Sequence, residues 1–241
     1  MEAIKKRITN YWSLRADDFG KQRCREFKSR KRAGWLEEMN RYLPADKSAR
    51  ILDIGTGSGF LACLLAAEGY EAVGIDLTPA MISQAKDMAS ALDIEADFQV
   101  MDAEEPVFDP ESFDAIVTRN LTWTLPHMGK AYCEWYRLLK PGGVLINFDA
   151  DYYAALGGND ITKLPKEHAH MLLSEDMIKE NAEITRKIGK GQPERPFMDI
   201  QLLMKAGFER ITLDKGVYGR IYAEIDEFYN PVPIFLIAAY K

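Results

Sequence analysis

The segment Ile51-Leu52-Asp53-Ile54-Gly55-Thr56-Gly57-Ser58-Gly59, followed by a second apolar run that ends on an acid at Gly74-Ile75-Asp76, constrains this chain more than any other feature. A short apolar strand leads into alternating glycines, where the missing Cβ atoms let the backbone turn tightly and approach a ligand. Phe60-Leu61-Ala62-Cys63-Leu64-Leu65 continues with apolar residues at helical spacing, so the loop opens a helix. Asp76 lies about one βαβ half-unit downstream, where a carboxylate can accept hydrogen bonds from ribose hydroxyls. The pattern predicts a nucleoside site. A dinucleotide loop, G-x-G-x-x-G, would carry its third glycine at position 60, where Phe60 stands instead. Asp53, two residues before the first glycine, would repel a pyrophosphate and attract an ammonium or sulfonium group. The loop therefore favours a cationic ligand, and both residues weigh against a nicotinamide-dependent dehydrogenase.

Asp53 to Gly59 resembles D-x-G-x-G-x-G, motif I of the class I S-adenosylmethionine-dependent methyltransferases, and the chain is similar to their type 11/25 branch. Further segments arrive in that family's order. Asp76-Leu77 resembles the acidic end of the second strand, and Met101-Asp102-Ala103 the acidic-plus-small pair after the third. Ser112-Phe113-Asp114-Ala115-Ile116-Val117 resembles the fourth strand, and Arg137-Leu138-Leu139-Lys140-Pro141-Gly142-Gly143 the turn into the fifth. The resemblance covers roughly positions 48 to 150 and resumes at Leu202 to Phe208, leaving 1 to 40 and 151 to 195 outside it. It implies a Rossmann-like α/β fold: a seven-stranded, mostly parallel, doubly wound sheet with an antiparallel last strand, plus a helical cap.

The resemblance also implies S-adenosyl-L-methionine as cofactor and S-adenosyl-L-homocysteine as product. Asp53 would organise the loop and face the methionine ammonium, and Gly55, Thr56 and Gly57 would bring the backbone to the ligand. Asp76 would take the ribose hydroxyls. Leu77 and Met81 would pack on adenine, although Met81 reads equally as core filling. Asp102 and the Ala103 amide would read the adenine edge. Arg119 and Asn120, after the fourth strand, would contact the cofactor or line the substrate mouth.

The chain reads as one methyltransferase domain over 1–241. Residues 1–42 form an N-terminal helical cap, 48–150 the cofactor-binding core, 151–195 a cap insertion and 196–241 the C-terminal part of the core. At 241 residues and 47% hydrophobic content it can bury one full α/β core. From Arg50, apolar strands near 50–54, 72–76, 97–101, 113–118 and 143–149 alternate with helices, which implies a parallel sheet with right-handed crossovers. Two last strands, Arg210 to Leu213 and Ile234 to Tyr240, show no clear helix between them and suggest an antiparallel pair. The insertion carries Gly157-Gly158-Asn159 and a helix expected from about His168 to Lys187. Ligands in such sheets bind at the C-terminal strand edges, so the N-terminal helices and the insertion both lie where they can cover that side.

Residues 1 to 32 hold eleven Lys or Arg against four Asp or Glu, on a chain of net charge −6. Such an arm fits either an anionic or nucleic-acid substrate or a solvated helix that complements an acidic body. Cys24, Cys63 and Cys133 are odd in number and widely spaced, and read as reduced thiols. No apolar run approaches a membrane span and no signal peptide is visible, so a soluble, cytoplasmic protein without a membrane partner is expected.

Alignment of donor and acceptor can supply about 7 to 11 kcal/mol of a methyl-transfer barrier, so a strong base is optional. The catalytic candidates are Asn120, His127 and Tyr11. Asn120-x-x-Trp123 faintly resembles the [DNS]-P-P-[YFW] signature of base-directed amine methyltransferases, without its prolines. Trp123 reads equally as a packed aromatic. Tyr11, with Trp12, Arg15 and Phe19, is either a lid or a docking face. His127 is a general base or an exposed loop histidine. His168-x-His170, with Asp149 and Asp151, suggests a base or a metal pair, but i, i+2 residues leave a helix on different sides, so no metal is expected. The two covers favour a small-molecule methyl acceptor. RNA or protein methylation through the basic arm, and a non-catalytic S-adenosylmethionine-binding protein, are the alternatives. A monomer or homodimer fits equally.

Overall fold

The computed structural model describes residues 2–156, 164–166, 168, 171 and 173–241. Seven strands form one sheet: β1 (Arg50–Ile54), β2 (Glu71–Asp76), β3 (Asp97–Val100), β4 (Phe113–Arg119), β5 (Leu139–Ala150), β6 (Glu209–Asp214) and β7 (Ile234–Tyr240). Their order is β3-β2-β1-β4-β5-β7-β6. The chain reverses direction across the sheet between β1 and β4, the switch point at which doubly wound folds hold ligands. β1, β2, β3, β4 and β5 pair in parallel, whereas β7 runs antiparallel to both β5 and β6. The expected seven-stranded sheet with an antiparallel last strand is the observed one.

Among the described residues there are eight α-helices: α1 (Glu2–Phe27), α2 (Lys31–Asn40), α3 (Phe60–Ala67), α4 (Pro79–Ala91), α5 (Met128–Leu138), α6 (Glu175–Gly189), α7 (Phe197–Ala206) and α8 (Val217–Ile221). Alternation of side chains along each strand divides the core into two layers. Ile51, Val117 and Ile146 face Trp35, Met39 and Leu64 on one side. Leu52, Ile116 and Leu145 face Tyr132, Trp135 and Leu203 on the other. Burial on both faces explains why the central strands read as continuous apolar runs. A third, smaller cluster joins α1 to α6 through Ile4, Ile8, Tyr11, Ile184 and Ile188.

Three local expectations need correction. The insertion helix begins at Glu175, not near His168, because the Ser174 hydroxyl accepts the Met177 amide at 3.3 Å and sets the helix start there. β5 starts at Leu139 rather than 143, pairing Leu139 with Phe113 across an irregularity in the β4 ladder. The one-and-a-half-turn helix α8 intervenes between β6 and β7, where Val217 and Ile221 bury against the α2 side of the sheet. Gly157-Gly158-Asn159 and His170 lie outside the described residues. No helix among the described residues is long and apolar enough to cross a membrane.

Candidate active site

A cavity of about 500 Å³ opens at the C-terminal ends of β1, β2 and β4, within the size range of small-ligand sites. Its floor begins with the glycine loop. Gly55 and Gly57 adopt φ of +68° and +56°, a region that side chains strain to enter. A Cβ on Gly55 would also stand 2.6 Å from the Leu121 side chain. The loop is fixed by its own neighbours: the Thr56 amide donates to the Ile75 carbonyl at 2.9 Å, and the Gly57 amide donates to Asp76 Oδ2 at 3.0 Å. Asp76 Oδ1 accepts the Thr78 amide at 2.8 Å. Burial raises the Asp76 carboxyl above its usual range against the pull of those amides.

Asp53 sits deeper, 2% exposed, and its Oδ2 accepts both the Thr56 hydroxyl at 2.6 Å and the Ala62 amide at 3.0 Å. Burial pushes its carboxyl up to about 7 despite both donors. Asp53 therefore ties the loop to the first turn of α3. Phe60, where a dinucleotide site would have glycine, packs edge-on against Phe27 and carries the Arg119 guanidinium 5.2 Å above its ring. At the far end, Asp102 Oδ2 accepts Lys5 Nζ at 2.6 Å and its Oδ1 accepts the Glu104 amide at 2.9 Å. Lys5 also pairs with the buried Glu104 at 2.5 Å, so the start of α1 is pinned to the β3 edge of the site.

The other wall has a different character. Ile8, Tyr11, Trp12, Arg15, Phe19, Gln22 and Arg23 recur at helical spacing and place one face of α1 on the cavity. Arg119 is bidentate on Glu26, with contacts at 3.0 and 3.2 Å, donates to the Tyr222 hydroxyl and lies 3.9 Å over Trp35. Glu26 is fully buried and also accepts Trp35 Nε1 at 2.9 Å. Beyond Arg119, Asn120 takes φ +56°, its Oδ1 accepts the Tyr152 hydroxyl at 3.1 Å, and Asn230 Nδ2 donates to that same hydroxyl at 2.8 Å. Trp123 and Tyr152 rings lie 4.8 Å apart, and Trp123 Nε1 donates to the Asn120 carbonyl.

Behind this wall lies a buried polar network. Arg195 and Asp149 are fully buried side chains, and Arg195 donates to Asp199 at 2.7 and 2.9 Å, to the Ala150 carbonyl at 3.0 Å and to the Thr122 hydroxyl. Asp149 Oδ2 accepts the Thr122 hydroxyl and the Trp123 amide, so the network holds the short 3₁₀ turn Thr122–Thr124 on which Trp123 stands. Burial raises the Asp149 carboxyl, with Arg195 opposing.

Of the residues singled out in the sequence, Asp53, Gly55, Thr56, Gly57, Asp76, Leu77, Met81, Asp102, Ala103, Arg119, Asn120 and Tyr11 all line the one cavity. His127 does not. It is exposed, and its amide donates to Glu104 Oε1 at 2.6 Å just before α5. Arg119, read as a cofactor contact, has its guanidinium engaged by Glu26 and Tyr222 and braces the wall. Asp149 is consumed by the Thr122–Arg195 network, and His168 lies in no helix and donates from Nε2 to the Tyr229 carbonyl at 2.7 Å. Sequence reading missed Glu26, Tyr152, Tyr222, Asn230 and Arg195. For these no local signal was present, whereas Asp149, which the sequence did offer, stands out as a lone acid in the apolar run Val144 to Ala150.

Residues 52–147 match the family model described as a methyltransferase domain. The ubiquinone biosynthesis O-methyltransferase of Coxiella burnetii is 29% identical over 130 residues, covering 52% of this chain and 56% of that protein. The demethylmenaquinone methyltransferase of Thermus thermophilus is 39% identical over 99 residues, 40% of this chain and 45% of that one. The chain thus spans about half the length of the curated relatives it matches. Two solved structures share the fold. Phosphoethanolamine N-methyltransferase 2 of Haemonchus contortus, in complex with S-adenosyl-L-methionine, has a TM-score of 0.61 at 22% identity, over 86% of this chain and 51% of that one. An S-adenosylmethionine-dependent methyltransferase of Thermotoga maritima has a TM-score of 0.61 at 19% identity, over 96% and 99% of the two chains. Residues 52–147 thus match a methyltransferase domain, and the chain shares its fold with S-adenosylmethionine-dependent methyltransferases. Solved structures that share the fold hold S-adenosylmethionine or S-adenosylhomocysteine, and the donor set here fits that cofactor: a glycine cradle, with carboxylates at the ends of β1 and β2 and after β3.

Proposed function

We propose that this protein transfers a methyl group from S-adenosylmethionine to a small-molecule acceptor inside the cavity roofed by α1 and α6. The observation that carries the reading is the Gly57–Asp76 contact: a backbone amide orients a half-buried carboxylate at the end of β2, lining the space that a nucleoside would fill. When bound, the cofactor supplies an electrophilic methyl group: the acceptor lone pair forms the new bond, the carbon–sulfur electrons stay with sulfur, and any acceptor proton leaves to solvent. The chain's own residues bind, orient and exclude water. In this reading Asp76 takes the ribose hydroxyls, Asp102 and the Ala103 amide face the base, and Leu77 and Met81 pack against it. Asp53 keeps the loop in its ligand-ready shape from below.

Tyr11 and Asn120 stand on the acceptor side, with Trp123 and Tyr152 supplying an aromatic wall. Tyr152 is a poor base, since burial raises its hydroxyl pKa, so positioning would carry most of the rate. Support for a small acceptor comes from the roof: Ile8, Trp12, Ile178 and Asn181 of α1 and α6 line the same cavity as the glycine loop. A nucleic-acid substrate draws no support from the basic arm, whose Lys5, Arg7, Arg25, Lys31 and Arg32 pair with Asp102, Glu180, Glu227, Asp226 and Glu68. The relatives named as quinone-pathway methyltransferases also act, by those names, on small molecules.

The test is thermal unfolding with S-adenosylhomocysteine beside NAD, on the intact protein and on Asp76→Ala. A ligand present at about a hundred times its dissociation constant adds about 2.7 kcal/mol, a readily visible shift. Stabilisation by S-adenosylhomocysteine that disappears in Asp76→Ala is expected. Stabilisation by NAD alone would remove the reading.

A further inference from the structure

The charges that line this cavity are unevenly matched. Each acid of the cofactor wall has its own donors: Asp53 has the Thr56 hydroxyl and the Ala62 amide, Asp76 has two backbone amides, and Asp102 has Lys5. On the opposite wall stand three guanidiniums, of which two share one carboxylate. Glu26 serves both Arg119 and Arg23. Arg15, only 8% exposed, has Tyr11 Oη as its hydrogen-bond partner at 3.2 Å and no ion pair among the described residues. Arg23 Nη2 donates to Gln22 Oε1 at 3.1 Å, and its guanidinium rests 4.8 Å over the Phe19 ring. The Nε atoms of both Arg15 and Arg23 have no partner among the described residues.

We propose that the methyl acceptor is an anion whose carboxylate or phosphate is held by Arg15 and Arg23 on the inner face of α1. This rests on the methyltransferase reading above. A guanidinium withdrawn from water without a counter-ion is costly, and the cost is relieved only if something negative enters the site. The cofactor carries a sulfonium and an ammonium against a single carboxylate, so its binding adds net positive charge to the cavity. Arg15 and Arg23 lie about two helical turns, roughly 12 Å, apart along α1 and both line the same cavity, so an anionic ligand there has a guanidinium available at either position. Their planar forks suit a carboxylate or phosphate. Gln22, Tyr229 and Asn230 add polar groups to the same region, and the Trp123–Tyr152 pair offers a flat apolar face for the rest of the molecule.

The experiment uses the full chain saturated with S-adenosylhomocysteine and two matched probe pairs: 4-hydroxybenzoate against 4-hydroxybenzamide, and phenyl phosphate against phenol. Dissociation constants are measured by calorimetry for the native protein and for Arg15→Gln, Arg23→Gln and Arg15→Lys. The expected result is at least tenfold tighter binding of the anionic member of one pair, and which pair responds separates carboxylate from phosphate. That preference falls at least tenfold in each Gln variant and is partly kept in Arg15→Lys, while S-adenosylhomocysteine affinity changes less than threefold. Equal binding within both pairs, or no binding of either anion, overturns the proposal. So does a tenfold loss of S-adenosylhomocysteine in the Gln variants that its decarboxylated analogue does not suffer, because the arginines then serve the cofactor. Failure of the native protein to bind S-adenosylhomocysteine at all removes the methyltransferase reading itself, and the proposal with it.

Discussion

The cofactor wall and the acceptor wall of this cavity are held in place by different means. From β1 through the glycine loop to β2, the fixing contacts are backbone amides given to nearby carbonyls and carboxylates: Thr56 to Ile75, Gly57 to Asp76, Thr78 to Asp76, Ala62 to Asp53. All of them lie within one βαβ half-unit, so the backbone conformation of a few residues sets the shape. The acceptor wall is built from side chains that meet from distant parts of the chain. Arg119 reaches Glu26 across 93 positions, and Arg195 reaches Thr122 across 73. A wall built from local backbone contacts can persist while its surroundings change. A wall built from buried ion pairs depends on every member being present, since losing one strands a charge in the interior.

The largest effect should come from cutting that second kind of wall. Arg195→Leu leaves Asp149 and Asp199 without their cation in a site with no solvent access, and a loss of about 3 to 5 kcal/mol is expected in urea unfolding. Removing both acids along with the arginine, as an apolar triple replacement of similar volume, should recover most of it. If the single change costs under about 1 kcal/mol, the acceptor wall does not depend on this network, and the contrast between the two walls is lost.

The cofactor wall responds to volume rather than charge. A Cβ on Gly74 would stand 2.8 Å from the Phe98 ring and 2.8 Å from Thr56 Oγ1, so Gly74→Ala must push a ring or the glycine loop aside. An overpacking cost of about 1 to 3 kcal/mol is expected in the same assay, together with weaker S-adenosylhomocysteine binding because Thr56 belongs to the loop. Unchanged binding would mean that the loop tolerates displacement and that its shape is less closely tied to β2 than the contacts indicate.

This division also explains what was legible beforehand. Gly55, Gly57, Asp53 and Asp76 could be read because a loop between a strand and a helix restricts both residue type and spacing locally. The central strands could be read as apolar runs because they are buried on both faces, whereas the seven-stranded sheet as a whole was what the family resemblance implied, since β3 and β6 are largely exposed. Glu26, Tyr222 and Asn230 could not be read, because nothing near them in the chain announces that Arg119 or Tyr152 will arrive from elsewhere. His127 was misplaced for the same reason: the residues after β4 turn inward through Thr122 and Trp123, and by position 127 the chain has already left the cavity to start α5. The start of α6 depended on a cap at Ser174 that apolar spacing alone does not reveal.

A smaller, pH-linked effect separates Asp53 from the paired acids. Its carboxyl is raised to about 7 by burial, from 3.8. Between those values the folded chain holds a proton that the unfolded chain releases, so this group's contribution to stability falls as pH rises through the window. The slope is at most about 1.4 kcal/mol per pH unit. Asp53→Asn cannot titrate, so the difference in unfolding free energy between it and the native protein should shift in the variant's favour from pH 4 to 7. Parallel profiles would mean that Asp53 is ionised in the folded protein throughout.

The smallest effect is expected away from the cavity, at Arg7 on α1 and at Arg30 in the turn before α2, where the same residue type meets water. Arg7 pairs with Glu180 at 2.7 Å and Arg30 with Glu224 at 3.1 Å, and these side chains are exposed. Water and salt screen such pairs, and holding two long side chains together costs conformational entropy that offsets most of the attraction. Arg7→Ala and Arg30→Ala should therefore leave the unfolding midpoint unchanged at low and at high ionic strength. Arg15 and Arg23 lie on the same helix as Arg7 with nearly the same chain chemistry, and differ in facing a cavity that excludes most water. If the outer substitutions destabilised the protein as much as inner ones, charge would be acting over the whole helix rather than at its buried face, and the distinction between a solvated arm and a charged inner wall would collapse.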